Sequence, residues 1–305
     1  MKPNGISSKR AGFTLMELMV AMAITTIIVT VLVSITSIAI DTWNRSRSEL
    51  RAARQAKSMV DTMARDFEAM VTRSGGRDPV SSRPFEWFVA DSNASSTATS
   101  GPLPSTNATQ LVFFTAAADR YKGEIGTASD LGGDVSCVGY ELFWRDPIDQ
   151  SGTVFKTFVL NRKLVDPKEA FDKLLGKTDL AAEFANISDI ENPENFVCEN
   201  LFQFTISFHL SVPPATAGGV ATPRVVTIGP SGTIQKISIN GDGINAAGDA
   251  TLKSARLTAV EISLTVLSDT GVDQLRNRSF SGDQRAEFMA KYSYQYSKLV
   301  QVPGM

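Results

Sequence analysis

Residues 12–40, GFTLMELMVAMAITTIIVTVLVSITSIAI, decide how the rest of the chain is read. They follow a basic leader, MKPNGISSKRA, and carry a single charge, Glu17, near the start; residues 18–40 have no other. Roughly 20 apolar residues at about 1.5 Å each cross the hydrocarbon of a bilayer, so this run predicts a transmembrane helix. A secretory signal has a shorter apolar core with its cleavage site behind it. Here the small residue suited to processing, Gly12, lies in front of the run, so cutting there leaves the apolar helix at the new N-terminus.

GFTLMELMVAMAI, residues 12–24, resembles the prepilin-type cleavage and methylation motif of type IV pilins and type II secretion pseudopilins. The resemblance covers the first 30 residues or so closely and the remainder loosely. It implies that a prepilin peptidase cuts between Gly12 and Phe13 and methylates the amine of Phe13. It also implies that Glu17 is the assembly residue. The physics of Glu17 points the same way: a carboxylate within a membrane segment costs roughly 2.5–3.5 kcal/mol on insertion scales, and such groups are usually paired and functional. The Phe13 amine lies about one turn away within one helix, and a neighbour's amine can reach Glu17 in a filament. The alternative is a Glu17 shallow enough to reach the headgroups.

The 305 residues suffice for an anchor plus one sizeable domain or two small ones. The formal charge is −2; without Lys2, Lys9 and Arg10 the chain keeps 27 of its 30 basic residues against 32 acidic, a formal −5. That balance argues against a nucleic-acid surface. Orientation is read from Lys and Arg beside the span, and here Arg45, Arg47, Arg51, Arg54 and Lys57 outnumber the basic residues of the leader. A cytoplasmic N-terminus with a periplasmic C-terminal domain, spanning an inner membrane once, therefore follows from the resemblance and not from charge.

Residues 41–71 contain neither Gly nor Pro and are rich in helix formers, with Val60, Met63, Phe67 and Val71 spaced by three and four. A helix over 13–73, ended by Ser74-Gly75-Gly76, spans roughly 90 Å. QAKSMVDTMARDFEAM, residues 55–70, is similar to that part of the helix in J-type minor pseudopilins, although any amphipathic helix feeding a domain accounts for the same letters. Beyond it the chain reads as strands: 84–90, 111–116, 138–145, 153–161, 201–212, 233–239 and 257–267. Residues 201–212 alternate strictly, with Phe202, Phe204, Ile206, Phe208, Leu210 and Val212 on one side. In 257–267, Thr258, Val260, Ile262, Leu264 and Val266 share a face. Asp166-Pro167-Lys168-Glu169 is a helix start, closed by Gly176, and a second helical patch covers 180–184. Residues 91–110 and 213–223 read as loops, and the triplets at Asn93 and Asn107 are explained by composition. Phe288, Tyr292, Tyr296 and Leu299 recur at helical spacing, with a terminal strand as the competing reading. The expected fold class is α+β, a long N-terminal helix packed on an antiparallel sheet, with a leader over 1–12, a membrane half over 13–40, an amphipathic half over 41–73 and a β-rich domain over 74–305.

The chain is poor in catalytic parts. His209 is the only histidine and falls on the polar side of a strand, and no nucleophile elbow, zincin, C-x-x-C or phosphate-loop motif occurs. The sequence thus predicts neither an enzyme nor a cofactor. Asp242, Asn245 and Asp249 offer oxygen ligands for calcium, but their spacing fails the EF-hand pattern and a turn-rich loop explains them equally. Cys137 and Cys198 are either a disulfide, closing about 60 residues for roughly 4 kcal/mol, or two separate buried thiols. The resemblance implies a minor subunit of a type II secretion pseudopilus or type IV pilus at or near its tip. Its partners are then the prepilin peptidase, other pilin subunits, the inner-membrane assembly machinery and the bilayer, with no nucleic acid. The alternatives are an adhesin or DNA-uptake pilin, or a single-pass membrane protein that is never processed.

Overall fold

A computed structural model describes residues 14–73, 75–92, 110–116, 135–147, 156–187, 189–214, 216, 218–229, 234–246, 249–278, 280 and 282–302. Two compact units divide at Ser48/Glu49. The first consists of the start of helix α1 (Leu15–Glu68). The second holds the last turns of α1 and everything that follows.

In the second unit α1 buries Ala52, Ala56, Met59, Val60, Met63, Ala64 and Phe67, a stripe at spacings of three and four that faces the core. The helix stops at Glu68, short of the Arg73 expected from sequence, because the chain turns into the sheet. Val71 N donates to Phe114 O at 2.8 Å and Ala116 N to Ala69 O at 2.9 Å, which draws residues 69–71 out beside the next strands. Val71 is half-buried against the smaller of the two cores, not on the helix stripe.

Among the described residues, eleven strands form two antiparallel sheets. They are β1 (Glu86–Asp91), β2 (Gln110–Thr115), β3 (Ser136–Arg145), β4 (Thr157–Val165), β5 (Phe196–Cys198), β6 (Leu201–Val212), β7 (Thr222–Ile228), β8 (Lys236–Asn240), β9 (Gly243–Ala246), β10 (Arg256–Leu267) and β11 (Ser293–Gln301). One sheet has the order β5-β4-β3-β2-β1-β8-β9, the other β11-β10-β6-β7. Between β4 and β5 lie α2 (Pro167–Glu169), which continues as a π-turn over Ala170–Leu174, and α3 (Leu180–Ile187); α4 (Asp269–Asn277) and α5 (Gly282–Tyr292) separate β10 from β11.

The larger core takes residues from α1 and from both sheets. Phe67 stacks on Phe113 at 4.7 Å, and Phe88 meets Phe208 edge-on at 5.4 Å, so one chain of rings joins helix, first sheet and second sheet. The other face of the seven-stranded sheet carries Trp87, Val89, Val112, Phe114 and Cys137 under Leu174, Leu180 and Phe184. Both faces are therefore covered, and Phe143 of β3 packs against the smaller core on that second face. Gly139 belongs to this arrangement: a Cβ there would lie 2.1 Å from the Phe184 ring, so only the bare backbone lets that ring rest on the sheet.

Several expectations are corrected. The strand expected over 153–161 is displaced to Thr157–Val165, its limits set by pairing from Arg145↔Thr157 to Cys137↔Val165. Residues 222 and 223, read as loop, begin β7; Pro223 is tolerated because β7 is an edge. Thr258 is exposed and Leu257 takes its place in the core, because the register between β10 and β6 shifts between Leu257 and Ala259. Helix α4, which the sequence reading lacked, starts at Ser268, whose hydroxyl accepts from Gly271 N. The C-terminal ambiguity resolves into both answers, helix to Tyr292 and strand from Ser293. The triplets at Asn93 and Asn107 lie outside the described residues.

Candidate functional site

In the first unit, the residues that the sequence singles out surround the start of α1. Gly12 and Phe13 lie outside the described residues. Thr14 and Glu17 make a reciprocal pair: Thr14 N and Thr14 Oγ1 each donate to Glu17 Oε2 at 2.9 Å, and Glu17 N donates to Thr14 Oγ1 at 3.2 Å. This is a capping box, which satisfies main-chain donors that a helix start leaves open. The T-x-x-E spacing carries that signal, whereas the sequence reading gave Glu17 either to an amine or to the headgroups.

Beyond Glu17 the helix is apolar on every side. Met19, Ile24, Ile28, Leu32, Ile35 and Ile38 are all more than half exposed, and this is the one helix among the described residues long and apolar enough to cross a membrane. Its hydroxyls are turned inward: Thr25, Thr26, Thr30, Ser34 and Thr36 each donate to the carbonyl four residues earlier at 2.8–2.9 Å. These five donors are thereby satisfied within the helix, which suits a hydrocarbon environment.

In the second unit, ion pairs among the described residues fasten α1 to β4, to β11 and to the link between β5 and β6. Arg162 on β4 donates through Nε (2.8 Å) and Nη2 (2.9 Å) to the two oxygens of Asp66, which also accepts from Tyr140 OH. Burial, then the Asp66 charge, pushes the Tyr140 hydroxyl well above its usual pKa, so it stays a donor. Arg51 pairs with Glu199, whose carboxyl is raised by burial and by Asp269 and lowered by Arg51. Lys298 Nζ lies 2.9 Å from Asp61 and, chiefly by that hydrogen bond, holds its carboxyl below the usual range. The sequence reading singled out neither Asp61 nor Asp66. Asp66 falls three residues after Met63 and seven after Met59, on the buried stripe, and that spacing was the available signal.

The remaining sequence candidates separate. Asp242, Asn245 and Asp249 line one cavity of about 590 Å³. Asn245 belongs to a hairpin of β8 and β9 instead of a loop. Asp242 pairs with Arg77 and Lys253, and Asp249 pairs with Arg224 and caps Thr251, so both carboxylates already face cations. Cys137 and Cys198 are free thiols, and the bridge left open by the sequence is not made. They occupy different cores on opposite faces of the seven-stranded sheet, and burial pushes the Cys198 thiol to about 12 and Cys137 higher still. His209 projects from β6 with Nε2 3.7 Å from Glu261.

Comparison with known proteins adds three findings. Among solved structures the chain is similar to a type IV-like pilin, TTHA1219 from Thermus thermophilus. The two are 12% identical over 83% of this chain and 97% of that one, with a TM-score of 0.32. No curated protein sequence matches the chain. Residues 7–33, the stretch that contains Gly12, Phe13 and Glu17 and opens the exposed apolar helix, match the prokaryotic N-terminal methylation motif.

Proposed function

We propose that the chain is a pilin-type subunit, stored in a membrane by its N-terminal helix and assembled through that helix into a filament. The observation that carries this is the methylation motif over residues 7–33 at the head of a helix whose whole apolar surface lacks protein cover. In this reading residues 1–12 are a leader that a prepilin peptidase removes, Phe13 becomes the methylated N-terminus, and residues 13–40 span an inner membrane. Residues 41–73 lead from the membrane into the periplasmic domain over 74–305. Glu17 then serves a neighbour's Phe13 amine in the filament, because a carboxylate in lipid is stabilised by a cation. The chemistry is non-covalent docking, with other pilin subunits and the inner-membrane assembly machinery as partners. A minor position at or near the tip of a type II secretion pseudopilus or type IV pilus, of the J type, is the finer form of the proposal. A subunit repeated along the whole lattice would have to accommodate a long segment such as 91–110 at every repeat.

Mass spectrometry of the membrane-extracted protein tests it. The expected mature chain begins at an N-methylated Phe13; an intact Met1 start in cells that contain the peptidase overturns the proposal.

A further inference from the structure

The two sheets have four edges, and three are blunted. β5 is 3 residues long with an irregular register to β4, and β9 is 4 residues long. β7 carries Pro223 and Arg224. Short strands, prolines, charges and bulges are the devices by which edges are kept from pairing with other chains. β11 has none of these in effect. It runs 9 residues in unbroken register with β10, without proline or bulge. Its single charge, Lys298, is bound to Asp61 on α1.

The direction of its free hydrogen-bonding groups follows from its ends. Tyr292 O accepts from Ser268 N, and Val302 N donates to Thr258 O, so even-numbered residues aim their main-chain groups toward β10. In an antiparallel ladder the alternate residues aim theirs away. Gln295, Ser297, Leu299 and Gln301 therefore present N–H and C=O outward, and among the described residues no main-chain bond meets them. Gln295, Ser297, Leu299 and Gln301 are exposed, Leu299 at 60%, and none is charged.

We propose that this edge pairs with the same edge of a second copy of the chain, antiparallel, about a two-fold axis through Ser297. Ser297 is the midpoint of β11, so the axis sets Ser297 opposite its own copy and Gln295 opposite Leu299, and the main-chain donors and acceptors of these residues find partners. A dyad at an even position also pairs outward residues with one another, so the choice of Ser297 rests on the side chains. Side chains agree with the register. Lys298 falls opposite Tyr296 and not opposite another lysine, Leu299 lies opposite Gln295, and Val300 lies opposite Tyr294. A register centred on Lys298 would set like charges together, which is unfavourable. The pairing is independent of the proposed processing and filament assembly.

Cysteine cross-linking of the full-length chain in its membrane tests the axis. The native thiols are buried, so wild type gives no linked dimer. Ser297→Cys places two thiols on residues with Cα atoms about 5.5 Å apart, within disulfide reach, and mild oxidation yields a dimer. Leu299→Cys alone leaves its two copies about 15 Å apart, four residues at ~3.4 Å along the strands plus the spacing between them, so its dimer is lower by on the order of tenfold. Mixing Leu299→Cys with Gln295→Cys chains restores it. Leu299→Pro in the Ser297→Cys background removes an outward N–H without touching the β10 ladder, and the cross-link is lost. The proposal is overturned if Ser297→Cys gives no dimer, if it links to a different polypeptide, or if Leu299→Cys links equally well.

Discussion

Asp66 on the helix and Arg162 on β4, 96 residues apart in sequence, form a two-point ion pair with side chains only 3% and 12% exposed. Removing one partner of a buried pair costs about 3–5 kcal/mol, because the other charge remains without its counter-ion. Asp66→Asn leaves the guanidinium facing a neutral amide and is expected to lower the unfolding free energy by about that amount in a denaturant titration. Joint replacement by Leu at 66 and Met at 162 is expected to recover most of the loss. A double-mutant cycle reads the coupling directly.

The capping box separates two roles of Glu17. Glutamine keeps the box geometry but carries no charge, whereas alanine loses both. If Glu17 works by its charge, Glu17→Gln and Glu17→Ala both lower incorporation into filaments, measured in sheared filament fractions, while cleavage continues. Full incorporation of Glu17→Gln would show instead that the cap alone matters.

Gly139→Ala forces a Cβ to 2.1 Å from the Phe184 ring. Overpacking of this kind costs about 1–3 kcal/mol. Thermal unfolding is expected to show the loss, and the second change Phe184→Leu to relieve it; an unchanged melting temperature for Gly139→Ala alone would mean that the ring does not rest there.

Glu141 on β3 gives a pH dependence with a definite sign. Burial, and then the Glu191 charge, lifts its carboxyl from 4.5 to about 7. The folded chain thus binds more protons than the unfolded one between those values, and its contribution to stability, full below pH 4.5, is lost as pH rises through about 7. Glu86 and Glu199, also raised by burial, push the same way. Glu141→Gln is expected to flatten the fall, gaining stability at pH 8 and little at pH 4. A parallel curve in the variant refutes the assignment.

The main elements were legible because their patterns are local. Phe202, Phe204, Ile206, Phe208 and Leu210 alternate along a strand that is core on one side, and the charge-free run from residue 18 declares its own environment. Asp166 before Pro167 marks a helix start that the structure keeps. What failed depended on partners far along the chain. Thr258 moves out of its face because β6 supplies a shifted register, and the helix ends at Glu68 because β2 and its flank claim residues 69–71. Asp66 drew no notice in the sequence because its counter-ion comes from β4, at residue 162. At the N-terminal site the residue types were readable from spacing, and so was the capping box of Thr14 and Glu17, which the T-x-x-E pattern carries and the stronger membrane signal overshadowed.

The stripe from Ala52 to Phe67 has a last consequence. These side chains are interior parts of the second unit as well as the continuation of the apolar helix. A protease that nicks the chain beyond Ala52 therefore does not liberate an intact head; it pulls a rib from the body and opens the gap to water. Any soluble fragment that survives must carry that rib with it, and must be severed upstream of Ala52.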